Sequence, residues 1–244
     1  MFQRSIRHAD GDVIEVGAAK VRLTVSKRAR RVSLRVDRAT GEVLAIAPTP
    51  RRLADAVAFA NERRAWIAER AADLKPPTRL RPGLQVTVFG EACVLARSPG
   101  RASLEAATWE RGKKIALAAD DAAYARAVID LVKREARDWF APRLDQHCRQ
   151  LGVRTPSFAL ADAQTRWGSC TPGDRRRPAA IRLSWRLALA PPEVADYVAA
   201  HECAHLLHAN HRPAFWTEVR RLIGDERPHR AWLRQHGGAL HGFN

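Results

Sequence analysis

The segment His201-Glu202-Cys203-Ala204-His205 constrains this chain more than any other stretch. An H-E-x-x-H sequence does chemistry only on a helix, where positions i and i+4 lie on one face, about one turn apart. Two imidazoles so placed can hold one Zn²⁺, each at roughly 2.0–2.1 Å. The glutamate beside the first histidine can then act as general base toward a zinc-activated water. The same positions also coincide by chance on solvated helices, so the flanking residues matter. Pro191-Pro192 suits a first helical turn, where the missing N–H has no intrahelical role. Glu193 and Asp196 place negative charge near that end, as the helix dipole favours. No Gly or Pro interrupts residues 193–210, which predicts one helix of about five turns with the motif in its second half. Val194, Tyr197 and Val198 share the metal face, while Ala199, Cys203, Leu206 and Leu207 point to other sides. A helix apolar on most sides is a buried one.

A catalytic zinc takes three protein ligands and keeps one position open. His208 and His211 both follow the motif. The spacing of His201, His205 and His211 matches the H-E-x-x-H-x-x-G-x-x-H pattern of metzincins, with His208 in the glycine place. Met1 is the only methionine, so no downstream Met-turn exists and a true metzincin is not expected. His208 shares the metal face but sits about 4.5 Å further along the axis than His205. A tetrahedral site wants its third ligand from another direction. Asn210 tolerates the left-handed conformation that ends helices. A turn there would swing His211 toward the metal, with Pro213 delaying the next helix. Glu218, in Phe215-Trp216-Thr217-Glu218-Val219, is an acidic alternative, and His208 a second one.

At 244 residues and 46% apolar content the chain can bury a full core, as one large domain or two small ones. No run of 18 apolar residues predicts a membrane span, and the first ten residues lack the apolar core of a signal peptide. Cys93, Cys148, Cys170 and Cys203 are widely spaced, with no C-x-x-C, which fits reduced thiols and a cytoplasmic location. The helical phase of Cys203 turns it from the metal, toward a core role. The net charge of +16 favours polyanionic partners, nucleic acid or nucleotide. The densest clusters are Arg28 to Arg31 and Arg175-Arg176-Arg177; an arginine-rich solvated surface accounts for them equally well.

Alternation predicts strands over 13–16, 20–26, 32–36 and 42–47, then a helix over 53–74 ended by Pro76-Pro77. Segments 84–88 and 92–96 flank Phe89-Gly90-Glu91 as a hairpin, and 114–118 is a further strand. A long helix over 122–151 stops at Gly152, with Ala127, Leu131, Ala136, Phe140 and Leu144 at helical spacing; Pro142 should kink or divide it. Strands over 157–161 and 180–185 bracket Trp167-Gly168-Ser169-Cys170. Gly168 would let a substrate backbone approach closely. Trp167 and Trp185 read as core residues. Helices near 214–223 and 228–236 close the chain. No internal repeat is visible.

Five segments resemble the YgjP-like metallopeptidases, relatives of the SprT-like zinc proteases. They are Arg166-Trp167-Gly168-Ser169-Cys170, Ile181-Arg182-Leu183-Ser184-Trp185-Arg186-Leu187, Ala190-Pro191-Pro192, the H-E-x-x-H helix, and Asn210-His211-Arg212-Pro213-Ala214-Phe215-Trp216. The basic stretch from Arg28 to Val36 adds to the likeness. The resemblance implies zinc ligands at His201, His205 and His211, with Glu202 as general base. Cys203, Ser184 and Arg212 depart from its leucine, asparagine and serine. The expected fold is α+β: a β-rich N-terminal region over 1–120 with one helix, then a zincin-like domain over 121–244. The expected activity is zinc-dependent hydrolysis of peptide bonds in a peptide or protein substrate, without membrane association. The family is also linked to pyrophosphohydrolysis of UTP, although no G-x-x-x-x-G-K phosphate loop is present. A nucleic-acid-associated protein with a structural zinc is a third reading, but it needs four closed protein ligands. A peptidase whose cleft is covered by its own chain is a fourth.

Overall fold

The computed structural model describes residues 8–37, 40–72, 78–97, 108–110, 113–116, 120–163, 166–174 and 176–243. The fold is α+β, and its contacts divide into two units, Met1–Thr78 and Arg79–Asn244.

In the first unit β1 (Val13–Val16), β2 (Ala19–Val25), β3 (Ser33–Asp37) and β4 (Glu42–Ala47) form one sheet in the order β1-β2-β4-β3. Period-2 alternation buries Val21 and Leu23 of β2 with Val43, Ala45 and Ala47 of β4. Against them lie α1 (Leu53–Glu62), through Leu53, Ala56 and Ala60, and α2 (Arg64–Ala72), through Ile67. The sequence predicts one helix here, but the chain leaves helical geometry at Arg63, with φ −99° and ψ 22°. Asn61-Glu62-Arg63-Arg64 carries no apolar side chain, so a bend there removes nothing from the core. The predicted stop at Pro76-Pro77 lies outside the described residues.

The second unit opens with β5 (Gln85–Val88), β6 (Glu91–Arg97), β7 (Thr108–Glu110) and β8 (Lys113–Ala116), in the order β5-β6-β8-β7. Both four-stranded sheets share one succession of pairings: antiparallel, parallel, antiparallel. The sequence shows no repeat, yet the strand topology occurs twice. Strand alternation is satisfied by many residue choices, so a topology can recur without a readable sequence period. The hairpin turn is Phe89-Gly90, with φ of 48° and 83°. Two positive values suit the primed turns that match strand twist. Phe89 tolerates this with its ring stacked on Trp139, centroids 4.2 Å apart, and its N–H donating to the Ala188 carbonyl at 2.7 Å.

Next comes α3 (Asp121–Leu151), capped by Asp120, whose carboxylate accepts from the Ala123 N–H at 2.7 Å. It ends on Gly152 in the left-handed conformation. The helix runs continuously through Pro142 rather than dividing there. Pro142 and Asp138 are both exposed, so water can satisfy the carbonyl that proline leaves unpaired. Val86, Val88, Cys93 and Leu95 share one core with Tyr124, Leu131, Phe140 and Leu144 of α3. The break expected near residue 120 thus falls inside this unit, and the division lies at Thr78–Arg79.

A three-stranded sheet follows: β9 (Ser157–Ala161), β10 (Gly168–Thr171) and β11 (Ala180–Ser184), in the order β10-β11-β9. Trp185, expected at the strand end, begins a buried 3₁₀ turn over Trp185–Leu189. The last helices are α4 (Pro192–Ala204), α5 (Pro213–Ile223) and α6 (Arg227–Leu240). Among the described residues no helix is long and apolar enough to cross a membrane.

Candidate metal centre

Helix α4 carries the H-E-x-x-H motif but ends sooner than the sequence predicts, at Ala204 rather than Asn210. His205 is its C-cap and keeps right-handed helical geometry, so the i, i+4 relation to His201 survives. Beyond it the chain tightens: Leu206 N–H donates to Cys203 O and Leu207 N–H to Ala204 O. Such i to i−3 bonds satisfy the last carbonyls of a helix. The turn brings the His208 carbonyl to 2.9 Å from His205 Nδ1. That oxygen can only accept, so Nδ1 carries the proton and Nε2 keeps its lone pair. His208 contributes its backbone here, not its ring.

His211 reaches the same place by a route different from the one expected. Asn210 does not adopt a left-handed conformation. Its side-chain oxygen instead accepts from the Arg212 N–H at 3.2 Å, a turn that asparagine forms readily. Pro213 does not delay the next helix; it starts α5 at the first turn. The His211 and His201 Nε2 atoms lie 3.1 Å apart. The three ring centroids of His201, His205 and His211 are 4.8 to 5.0 Å from one another. Phe215, fully buried, packs against all three imidazoles. Trp216 donates its indole N–H to the His211 carbonyl at 3.0 Å. Glu218 is not part of the cluster; it is paired with Arg221 at 2.6 Å.

Glu202 faces β10. An added Cβ on Gly168 would sit 2.4 Å from the Glu202 carboxylate. Gly168 is therefore needed for this side chain, whereas the sequence suggested room for a substrate backbone. The carboxylate is buried, and Oε2 has no hydrogen-bond partner among the described residues. Burial raises its pKa to about 7, against a smaller opposing pull from Arg166. His201 moves the other way, to about 3, through burial and then the neighbouring His205 and His211. Burial also lowers His211. His201 and His211 thus favour the neutral imidazole, the form that binds metal.

These two shifts predict a pH signature for the metal-free protein. Between pH 4.5 and 7 folded Glu202 keeps a proton that the unfolded chain has lost, so its contribution to stability falls as pH rises. Between pH 6.5 and 3 the unfolded chain protonates His201 before the folded chain does, so that contribution falls as pH falls. The slopes oppose each other from about pH 4.5 to 6.5. Glu202→Gln removes the first, so its Tm should climb with pH more steeply than wild type across that window. Parallel curves would show that Glu202 does not titrate there.

Sequence reasoning missed two residues of α6. His229 stacks on Tyr197, centroids 5.9 Å apart, and Tyr197 Oη lies 3.4 Å from His201 Nδ1. The Arg230 guanidinium lies over Trp216 at 4.7 Å and adds positive charge beside His201 and His211. No motif marks this helix, so only packing reveals them. Cys203 is buried, with Sγ 3.8 Å from that of Cys148, in the core role expected; no disulfide joins any of the four cysteines. Trp185 is buried, and Trp167 stacks on His241 at 4.6 Å. Arg28, Arg30, Arg31, Arg176 and Arg177 are exposed, and Arg175 lies outside the described residues.

A sequence model of the YgjP-like family, described as a metallopeptidase domain, matches residues 30–236. The chain belongs to the YgjP-like metallopeptidase family. No curated protein and no solved structure gives a match. A YgjP-like metallopeptidase domain implies a divalent metal, and the donor set tests whether this chain can hold one. His201, His205 and His211 each offer a nitrogen, all within 4.8 Å of one another. Tetrahedral zinc with ligands at 2.0–2.1 Å needs nitrogens roughly 3.3 Å apart. The observed 3.1 Å for one pair, the preference of His201 and His211 for the neutral form and the Nδ1 hydrogen bond of His205 suit zinc. Among the described residues no fourth His, Cys, Asp or Glu joins the cluster, whereas a closed structural site needs four ligands.

Proposed function

We propose that this YgjP-like domain is a zinc peptidase, with His201, His205 and His211 as ligands and Glu202 as general base. One observation carries the reading. The buried Glu202 carboxylate, whose Oε2 has no hydrogen-bond partner among the described residues, follows His201 of the three-histidine cluster and lies against Gly168 on an edge strand. Bound zinc would supply a Lewis acid for the scissile carbonyl and shift the pKa of its water toward about 7. Glu202, with its own pKa near neutrality, takes the proton of the attacking water and passes it to the leaving amine. The water oxygen bonds to the carbonyl carbon as the C–N bond breaks.

Strand β10 has only β11 as a partner among the described residues. Its free edge suits an extended peptide that adds itself as a further strand. Gly168, on that edge, would place the peptide beside Glu202. Four cysteines with no disulfide between them favour work in a reducing compartment such as the cytoplasm.

The test sets zinc-loaded protein against an unfolded protein, short peptides and nucleoside triphosphates in parallel. Peptide-bond cleavage abolished by a chelator supports the reading. Turnover of triphosphates without any peptide cleavage would replace it.

Gly168→Ala probes the seat of the base. The methyl group must push the carboxylate aside, while fold and zinc ligands stay. Misplacement of a catalytic group by about 1 Å costs around 10²-fold in rate. Full zinc content with peptide turnover lowered by that order is expected. Unchanged turnover would mean that Glu202 does not act from this position.

A further inference from the structure

Beside β10 lies a cavity of about 230 Å³, lined among others by Arg166, Ser169, Arg182 and Ser184. Strand geometry says which face it occupies. Gly168 turns toward Glu202 and α4. Ser169, the next residue, therefore faces the opposite side of the sheet. Arg182, its cross-strand partner in β11, shares that side and is exposed. Arg166 and Arg182 make no ion pair among the described residues, whereas Asp162, which also lines the cavity, is ion-paired with Arg186. Ser184 is buried, and its hydroxyl oxygen has no partner among the described residues. The cavity is thus cationic, with two serine hydroxyls and no unpaired carboxylate.

A peptide laid along the edge of β10 presents alternate side chains to the two faces. The residue opposite Gly168 faces Glu202. The residue opposite Ser169 extends over the other face, toward Ser169 and, one strand further, Arg182. Strands lie about 4.8 Å apart, so the peptide is about 9.6 Å from β11, two spacings that a long acidic side chain and a long arginine span together. Arginine binds carboxylate through paired, charge-assisted hydrogen bonds. We propose that this cavity is a specificity subsite that takes a carboxylate side chain of the substrate, at the position paired with Ser169. The inference rests on the reading of β10 as the substrate-binding edge.

The experiment separates binding from turnover. Zinc-loaded Glu202→Gln is titrated with fluorescent peptides in which one position at a time carries Glu, Gln or Lys, and affinity is read by anisotropy. At one position Glu should bind about tenfold tighter than Gln, the low end for a hydrogen bond to a charged group. Adding Arg182→Gln should erase that preference, and Arg182→Glu should turn it toward Lys; Arg182 is exposed, and circular dichroism checks the fold of both variants. No Glu preference at any position, a preference that survives Arg182→Glu, or no peptide binding at all would overturn the subsite. Wild-type protein that cleaves peptides without preference also removes it while leaving the peptidase reading intact. Glu-selective binding without cleavage by wild-type protein keeps the subsite and removes the peptidase reading.

Discussion

Glu202→Gln is expected to keep zinc and lose the chemistry. The amide has nearly the shape of the carboxylate, and the side chain is buried against Gly168, so packing should persist. It cannot accept a proton, and removal of a general base lowers rate by about 10²–10⁴-fold. Zinc content by elemental analysis and peptide turnover, measured on one preparation, give the two readouts. A variant with full zinc and near-normal turnover would remove Glu202 from the mechanism. Loss of zinc together with activity would give Glu202 a role in building the site instead.

His211→Ala should weaken zinc binding by more than about 10²-fold, beyond the usual cost of losing an outer-shell partner of a metal ligand. His208→Ala should leave affinity nearly unchanged, although His208 lies closer in sequence to the motif. Its contribution is the carbonyl that accepts from His205 Nδ1, and alanine retains a carbonyl. Glu218→Ala should also keep zinc, because that carboxylate is engaged with Arg221. Competition with a chromophoric chelator ranks the three variants. His211→Ala binding as tightly as wild type, with either other variant losing metal, would reverse the ligand assignment.

The same three histidines show how far the sequence can be read. Helix periodicity is local, so the spacing alone places His201 and His205 on one face. His211 is also within reach, because a tetrahedral ion disfavours a third ligand from the same helix. The route is not legible: Asn210 turns the chain with its side-chain oxygen, and helix α4 stops at Ala204 although no Gly or Pro ends it. A helix can end by a hydrogen-bonding choice, here the His208 carbonyl accepting from His205 Nδ1, that composition does not announce.

Strand alternation places β1, β4 and β9 to the residue, since a half-buried strand writes its face into every second position. It does not say which strands pair, and so hides both the repeated four-strand topology and the division at Thr78–Arg79. Gly168 is conspicuous, but its reason is not, because the atom that needs its missing Cβ belongs to Glu202, 34 residues later. By itself the sequence determined the helix face that carries His201 and His205, the fold class and the family motifs, each written in residues close together in the chain. Only the tertiary structure decided the burial that raises the Glu202 pKa, the placing of His229 and Arg230, and the cationic cavity beside β10. Those depend on packing between distant segments, and no local pattern encodes that packing.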